Sequence, residues 1–351
     1  MDGAPSPSES DSVQAVPWKS LSDSELLQRR ICDLKLELKG TELSPLVEQL
    51  YAELENRGLS FRPRCYLGDE WFSALDVPTI AIPFYLAHPR LVALEKRMML
   101  EVEGGEPAQF MQLLRHECGH ALEHAYQLHR RRKRQTLFGP RSIPYAPETY
   151  RPRPYSRSYV RNLPNWYAQA HPDEDFAETF AVWLDPSVDW RKHYSGWKAL
   201  TKLEYVDSVM REMGRTAPRV TDDSTPCHVS RLRARLETFY KRRRKEYAVD
   251  APDFYDRDLE GIFTREPPAR ETSSAASFFR HQRRELVDSV ARWTGERKVA
   301  IELLVRRLSA RSAELKLFLA RDERRTSIEV TAYVATLVTH YRFTGRFKRS
   351  V

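Results

Sequence analysis

Residues 116–120 read His-Glu-Cys-Gly-His, and they fall inside the clearest helical pattern of the chain. Over residues 107–128, Phe110, Met111, Leu113, Leu114, Ala121, Leu122, Ala125 and Leu128 recur at the spacing of one broad apolar face. On such a helix His116 and His120 lie one turn apart on the same side, so both imidazoles can reach a single ion. Glu117 follows the first histidine, where its carboxylate can act as general base toward an activated water. This combination constrains the fold more than any other feature. It calls for a long helix at a site and a third ligand delivered from elsewhere.

Zinc needs that third ligand and an open position. His124 extends the series but, at a rise of about 1.5 Å per residue, lies roughly 12 Å along the axis from His116. The metzincin pattern requires glycine at 123 and histidine at 126, and the chain has Glu123 and Tyr126. The segment His-Pro-Asp-Glu-Asp-Phe-Ala-Glu-Thr-Phe, residues 171–180, is better placed. His171 can cap a helix, Pro172 suits its first position, and acids fill the positively polarised first turn. Glu174 and Glu178 share one face, so one can bind the ion while the other accepts a hydrogen bond from a ligating imidazole. Phe176, Phe180 and Trp183 belong on a buried face.

At 351 residues with 41% apolar content, the chain can build a large core. Four cysteines without a CxxC pair exclude a cysteine-rich zinc ribbon and point to a reducing compartment. The start of the chain is polar and acidic, unlike a signal peptide, and no apolar run reaches bilayer length. A cytoplasmic protein without membrane contact is expected. The net charge of +8 is uneven. Residues 129–165 hold ten Arg/Lys against Glu148 alone, and residues 281–351 hold sixteen against eight acids. Basic regions of this kind suit an acidic substrate, a nucleic acid or an anionic surface.

Along the chain, residues 1–20 read as a disordered tail and 22–38 as a short helix leading into a strand. A helix is expected over 44–57, and strands over 61–68 and 76–86. Pro78 and Pro83 assign the latter to a sheet edge. A helix from Pro172 to Trp183 and a helix-rich stretch to about 214 follow. The resulting division is a catalytic domain at 21–215, a helical connector at 216–263, a linker at 264–277 and a basic helical region at 278–351.

The HECGH motif followed by Tyr-Ala-Gln-Ala-His-Pro-Asp-Glu-Asp-Phe-Ala-Glu-Thr-Phe-Ala resembles gluzincin-type metallopeptidases. It is most like the bacterial family of putative zinc-binding metallopeptidases, and is similar in arrangement to the catalytic domain of anthrax lethal factor. There a tyrosine precedes the zinc-binding glutamate by seven residues, as Tyr167 precedes Glu174 here, and Glu178 matches the last glutamate of the segment. The resemblance is specific over residues 110–184. It departs at Asp175-Phe176, where the toxin has two phenylalanines, and the toxin's substrate-recognition domains have no counterpart. It implies an α+β, zincin-like fold with a mostly helical C-terminal extension. It implies one Zn²⁺ on His116, His120 and Glu174, with Glu117 as base and Tyr167 as a donor to the oxyanion or leaving group.

Peptide bonds are the expected substrate, with an extended peptide added beside Thr79, Ile80 and Ala81. Arg151, Arg153 and Arg157 would then favour acidic sequences. The competing expectation is a nucleic-acid-associated metalloprotein, or a protease acting on DNA-bound proteins through basic C-terminal helices, although no DNA-binding motif accompanies them. A purely structural metal site would have no use for Glu117.

Overall fold

The computed structural model describes residues 17–146, 150–246, 255–266 and 273–344. The first part runs α1 (Asp23–Leu27), α2 (Ser44–Asn56), β1 (Arg64–Gly68), β2 (Thr79–Pro83), α3 (Pro89–Met99) and α4 (Pro107–Tyr126). It continues with α5 (Arg132–Phe138), α6 (Pro172–Leu184), α7 (Trp190–His193), α8 (Ala199–Met213) and α9 (Leu236–Glu246). The remainder is α10 (Asp256–Ile262), β3 (Phe263–Thr264), α11 (Ala275–Thr294), α12 (Lys298–Glu314), β4 (Phe318–Leu319) and α13 (Glu323–Thr344).

Helices carry the architecture, and strands contribute less than an α+β reading leads one to expect. Among the described residues β1 and β2 form one parallel pair, in register from Arg64 opposite Thr79 to Gly68 opposite Pro83, and β3 pairs antiparallel with β4. The strand expected before residue 38 does not form. Ser22 and Glu25 make a capping box that starts α1, and Ile31–Leu34 is a 3-10 turn ended by Lys35 in the left-handed region. That left-handed residue breaks the extended run, so Leu34 is buried from a turn instead. Residues 1–16 of the expected tail lie outside the description, whereas Trp18–Ser20 is a 3-10 turn with Trp18 edge-on to His88.

Two apolar cores divide the chain. The larger joins α2, β1, β2, α3, α4, α6, α8 and α9 around Leu50, Leu54, Ile80, Phe110, Leu122, Phe180 and Tyr240. The smaller joins α10 to α13 around Leu259, Phe279, Ile301, Val305 and Val334. The boundary therefore differs from the one expected. Leu236 and Phe239 of the expected connector belong to the first core, while Tyr255, Leu259 and Phe263 belong to the second. Of the expected linker, residues 267–272 lie outside the description, and Ser274 already caps α11 by accepting from the Ser277 amide. Among the described residues no helix is long and apolar enough to cross a membrane.

Candidate metal centre

Three side chains from two helices meet at one point. α4 presents His116 and His120 on successive turns, and the first turn of α6 presents Glu174. His116 Nε2 lies 3.0 Å from Glu174 Oε2, His120 Nε2 lies 3.2 Å from the same oxygen, and the two Nε2 atoms are 3.1 Å apart. A tetrahedral zinc with ligands at about 2.0–2.2 Å spaces its donors about 3.3–3.6 Å apart, so this triangle needs to open by only a few tenths of an ångström. Two imidazoles and a carboxylate are also a donor set that zinc accepts.

The electrostatics favour a cation at this point. Burial pushes the His116 imidazole down, but hydrogen bonds to Glu174 and Glu178 override it and hold it well above its ordinary value. Burial alone would raise Glu174, yet the two histidines pull it far below the carboxylate range. The two carboxylates thus favour positive charge on the imidazoles beside them. His116, His120 and Glu174 fit a zinc ion.

The orientation of His116 is set from behind. Its Nδ1 lies 2.8 Å from Glu178 Oε1, which leaves Nε2 facing Glu174. Glu178 accepts two further bonds, from Asn162 Nδ2 and from the Leu163 amide, both at 2.8 Å. One buried carboxylate therefore ties the metal helix to the segment entering Tyr167.

Gly119 allows α4 and α6 to come this close. A Cβ at that position would sit 2.9 Å from the Ala177 Cα and 3.2 Å from its carbonyl oxygen, a contact the backbone of α6 cannot relieve by a rotamer change. Gly119→Ala is expected to cost about 1–3 kcal/mol through overpacking and to weaken zinc retention by displacing Glu174. Denaturant melts with metal analysis check this, and parental values in both would contradict it.

Buried cations fasten α6 at each end. Arg134 of α5 is fully buried and reaches Glu123 at 2.7 Å, Asp173 at 2.6 Å and the Pro172 carbonyl at 3.1 Å. Arg115 of α4 pairs with Glu53 at 2.7 Å and with Asp185, just past α6, at 3.0 Å. His171 caps the helix by accepting from the Asp173 amide, and Lys202 of α8 meets Asp175.

Glu117 is buried beside His116, and among the described residues it forms no ion pair. Burial pushes its carboxyl up, and the neighbouring imidazoles only partly offset that rise. Tyr167 sits with its ring 5.8 Å from that of His116. Its phenol shares a 3.0 Å hydrogen bond with Tyr145. Burial, then the Glu174 carboxylate, raise the Tyr167 phenol, so it keeps its proton as a donor. Tyr145 lies in the proline- and arginine-rich stretch, where periodicity gives no signal, and sequence reasoning missed it.

Other expected residues lie elsewhere. Thr79, Ile80 and Ala81 do not offer an open edge: all three are buried, and the Ala81 amide donates to the Phe72 carbonyl at 2.9 Å. β2 does lie at the edge of its two-stranded sheet, where its prolines assign it, but residue 72 folds back to occupy the position where a peptide was expected to add. His124 stays away from the ligand triangle and accepts from the Asp76 amide at 3.3 Å. Cys118 is buried in the core. Arg151, Arg153 and Arg157 are exposed, and among the described residues none of them forms an ion pair.

A family model described as putative zinc-binding metallo-peptidase matches residues 96–209. That span runs from the end of α3 into α8 and contains every side chain of the converging set. No curated protein and no solved structure matches the chain.

Proposed function

We propose that this chain is a zinc peptidase that hydrolyses peptide bonds with Glu117 as general base. The observation that carries this reading is the His116–His120–Glu174 triangle with a buried carboxylate next to it that forms no ion pair among the described residues. A structural zinc site is closed and needs no base, whereas three protein ligands with an adjacent base are what hydrolysis requires. The match to the metallopeptidase family over the same residues supports it.

Zinc, when bound, supplies a Lewis acid that polarises the scissile carbonyl and acidifies a water. The chain supplies the proton traffic. Glu117 accepts a proton at its carboxylate and passes it to the leaving amine. Tyr167 donates its phenolic hydrogen toward the charge that develops on the carbonyl oxygen. Glu178 keeps His116 in the tautomer that directs Nε2 to the ligand triangle.

Substrate choice falls to the arginine-rich stretch. The arginine-rich stretch is not uniformly free: Arg131 pairs with Glu212, Arg134 with Glu123 and Asp173, and Arg141 with Asp76 and Asp173. Arg151, Arg153 and Arg157 are exposed and form no ion pair among the described residues, with Arg157 lying over the Trp197 ring, and they would attract acidic peptides, an effect that weakens with salt. The test is an unbiased peptide-library digest by the zinc-loaded protein, repeated with those three arginines changed to glutamine. Cleavage that stops with a chelator, and a preference for acidic peptides that the variant loses selectively, are expected. No cleavage of any peptide would overturn the peptidase reading, and equal losses on acidic and neutral peptides would remove the acidic preference alone.

A further inference from the structure

Tyr167 is carried on a turn of unusual backbone geometry. Asn165 (φ 68°, ψ 18°) and Trp166 (φ 54°, ψ 42°) are consecutive non-glycine residues in the left-handed region. Each such residue costs roughly 1 kcal/mol or more and persists only where its surroundings hold it. Two grips hold this one. From the metal side, Glu178 accepts from Asn162 and Leu163, and Gln112 donates to the Asn162 carbonyl. From the other side the hold comes from Gly295, far along the chain, and from Tyr150. Asn165 Nδ2 donates to the Gly295 carbonyl at 2.9 Å, and Tyr150 Oη donates to the Asn165 carbonyl at 2.8 Å.

Gly295 ends α11 and opens the α11–α12 turn in the left-handed region, at φ 69°. A Cβ there would fall 2.1 Å from Asn165 Oδ1, so the approach requires glycine. Arg342 of α13 donates to the neighbouring Thr294 carbonyl at 2.6 Å, which ties the last helix to the same turn. The next residues dock separately, with Arg297 reaching Glu103 at 2.9 Å. The α11–α12 turn is therefore seated on the first core at a point two residues from Tyr167.

We propose that Asn165 is a positioning residue through which the C-terminal helices set the Tyr167 phenol over the metal centre. On this view the basic C-terminal unit completes the catalytic site. A change in its seating is transmitted to Tyr167 through one side chain and a strained turn. The inference rests on Tyr167 acting in hydrolysis, so it carries a readout that does not depend on turnover.

The experiment compares full-length, zinc-loaded parent with Asn165→Ala and Gly295→Ala, which disturb the contact from opposite sides. Arg297→Ala serves as a control that loosens docking elsewhere. Amide exchange over residues 163–170 should accelerate about fivefold in the first two variants, the loss of one hydrogen bond, and stay parental in the control. Zinc content should not change. On a peptide the parent cleaves, kcat should fall about tenfold with KM within about twofold, because a misplaced donor is felt only in the transition state. In a Tyr167→Phe background, Asn165→Ala should add nothing further. Parental exchange in both variants overturns the inference, whatever the activity. Faster exchange with parental kcat, or an undiminished Asn165→Ala effect without the phenol, also overturns it while leaving the zinc ligands in place. Absence of hydrolysis by the parent itself counts against the proposed function.

Discussion

Replacing Glu117 by glutamine is expected to lower peptide hydrolysis by at least about a hundredfold while fold and zinc content stay parental. The amide is nearly isosteric with the carboxylate, so the packing around α4 is undisturbed, but it has no basic oxygen to accept the proton. The group does not serve as a ligand in the triangle of His116, His120 and Glu174, so metal retention should not depend on it. Its surroundings make the comparison clean. Glu117 is buried and has no ion pair among the described residues, so little besides the proton acceptor is lost. Equal turnover by variant and parent would remove the proposed mechanism, since the other two carboxylates at the histidines, Glu174 and Glu178, are both engaged with His116.

A comparable loss, in stability, is expected at Arg134. Its guanidinium is fully buried and holds Glu123, Asp173 and the Pro172 carbonyl. Arg134→Leu keeps much of the volume but leaves the buried Glu123 without a counter-charge, while Asp173 keeps only Arg141. Breaking a buried pair from one side costs about 3–5 kcal/mol. Glu174 follows Asp173 directly, so the first turn of α6 should loosen and zinc retention should weaken with it. A denaturant midpoint shift corresponding to less than about 1 kcal/mol, with parental zinc retention, would show that α6 is held by its apolar face alone.

The parts of the site that could be read from the sequence are those governed by helical periodicity. His116 and His120 are four apart on a helix whose apolar face is unmistakable, and Pro172 with its acidic neighbours announces a second helix start. Those local rules are enough to place three ligands on two rigid elements. What they do not contain is the distance between the helices, which Gly119 and Ala177 set by contact between residues 58 apart in the chain. Arg134 illustrates a second limit. A basic residue in a basic stretch reads as solvated, and only the acids supplied by α4 and α6 make its burial tolerable. β2 lies at the edge of its two-stranded sheet, as Pro78 and Pro83 announce, but those prolines describe only the strand's own donors, and Phe72 covers the edge through a bridge to Ala81. The clamp between Asn165 and Gly295 spans 130 residues, and no spacing rule connects them.

The strand expected before residue 38 met the same difficulty. Alternating apolar positions at Leu34, Leu36 and Leu38 satisfy a period of two, but a left-handed Lys35 interrupts the extended run. Alternation in a segment of five to seven residues is too short to distinguish a strand from a turn that buries the same leucines.

The central claim is that His116, His120 and Glu174 together hold one zinc ion. Metal analysis of the purified parent beside Glu174→Ala tests it directly. About one zinc per chain is expected in the parent and a loss of most of it in the variant, because two imidazoles alone leave the site a ligand short. Full zinc occupancy in Glu174→Ala, with the fold intact, would contradict the account and assign the third ligand to another residue.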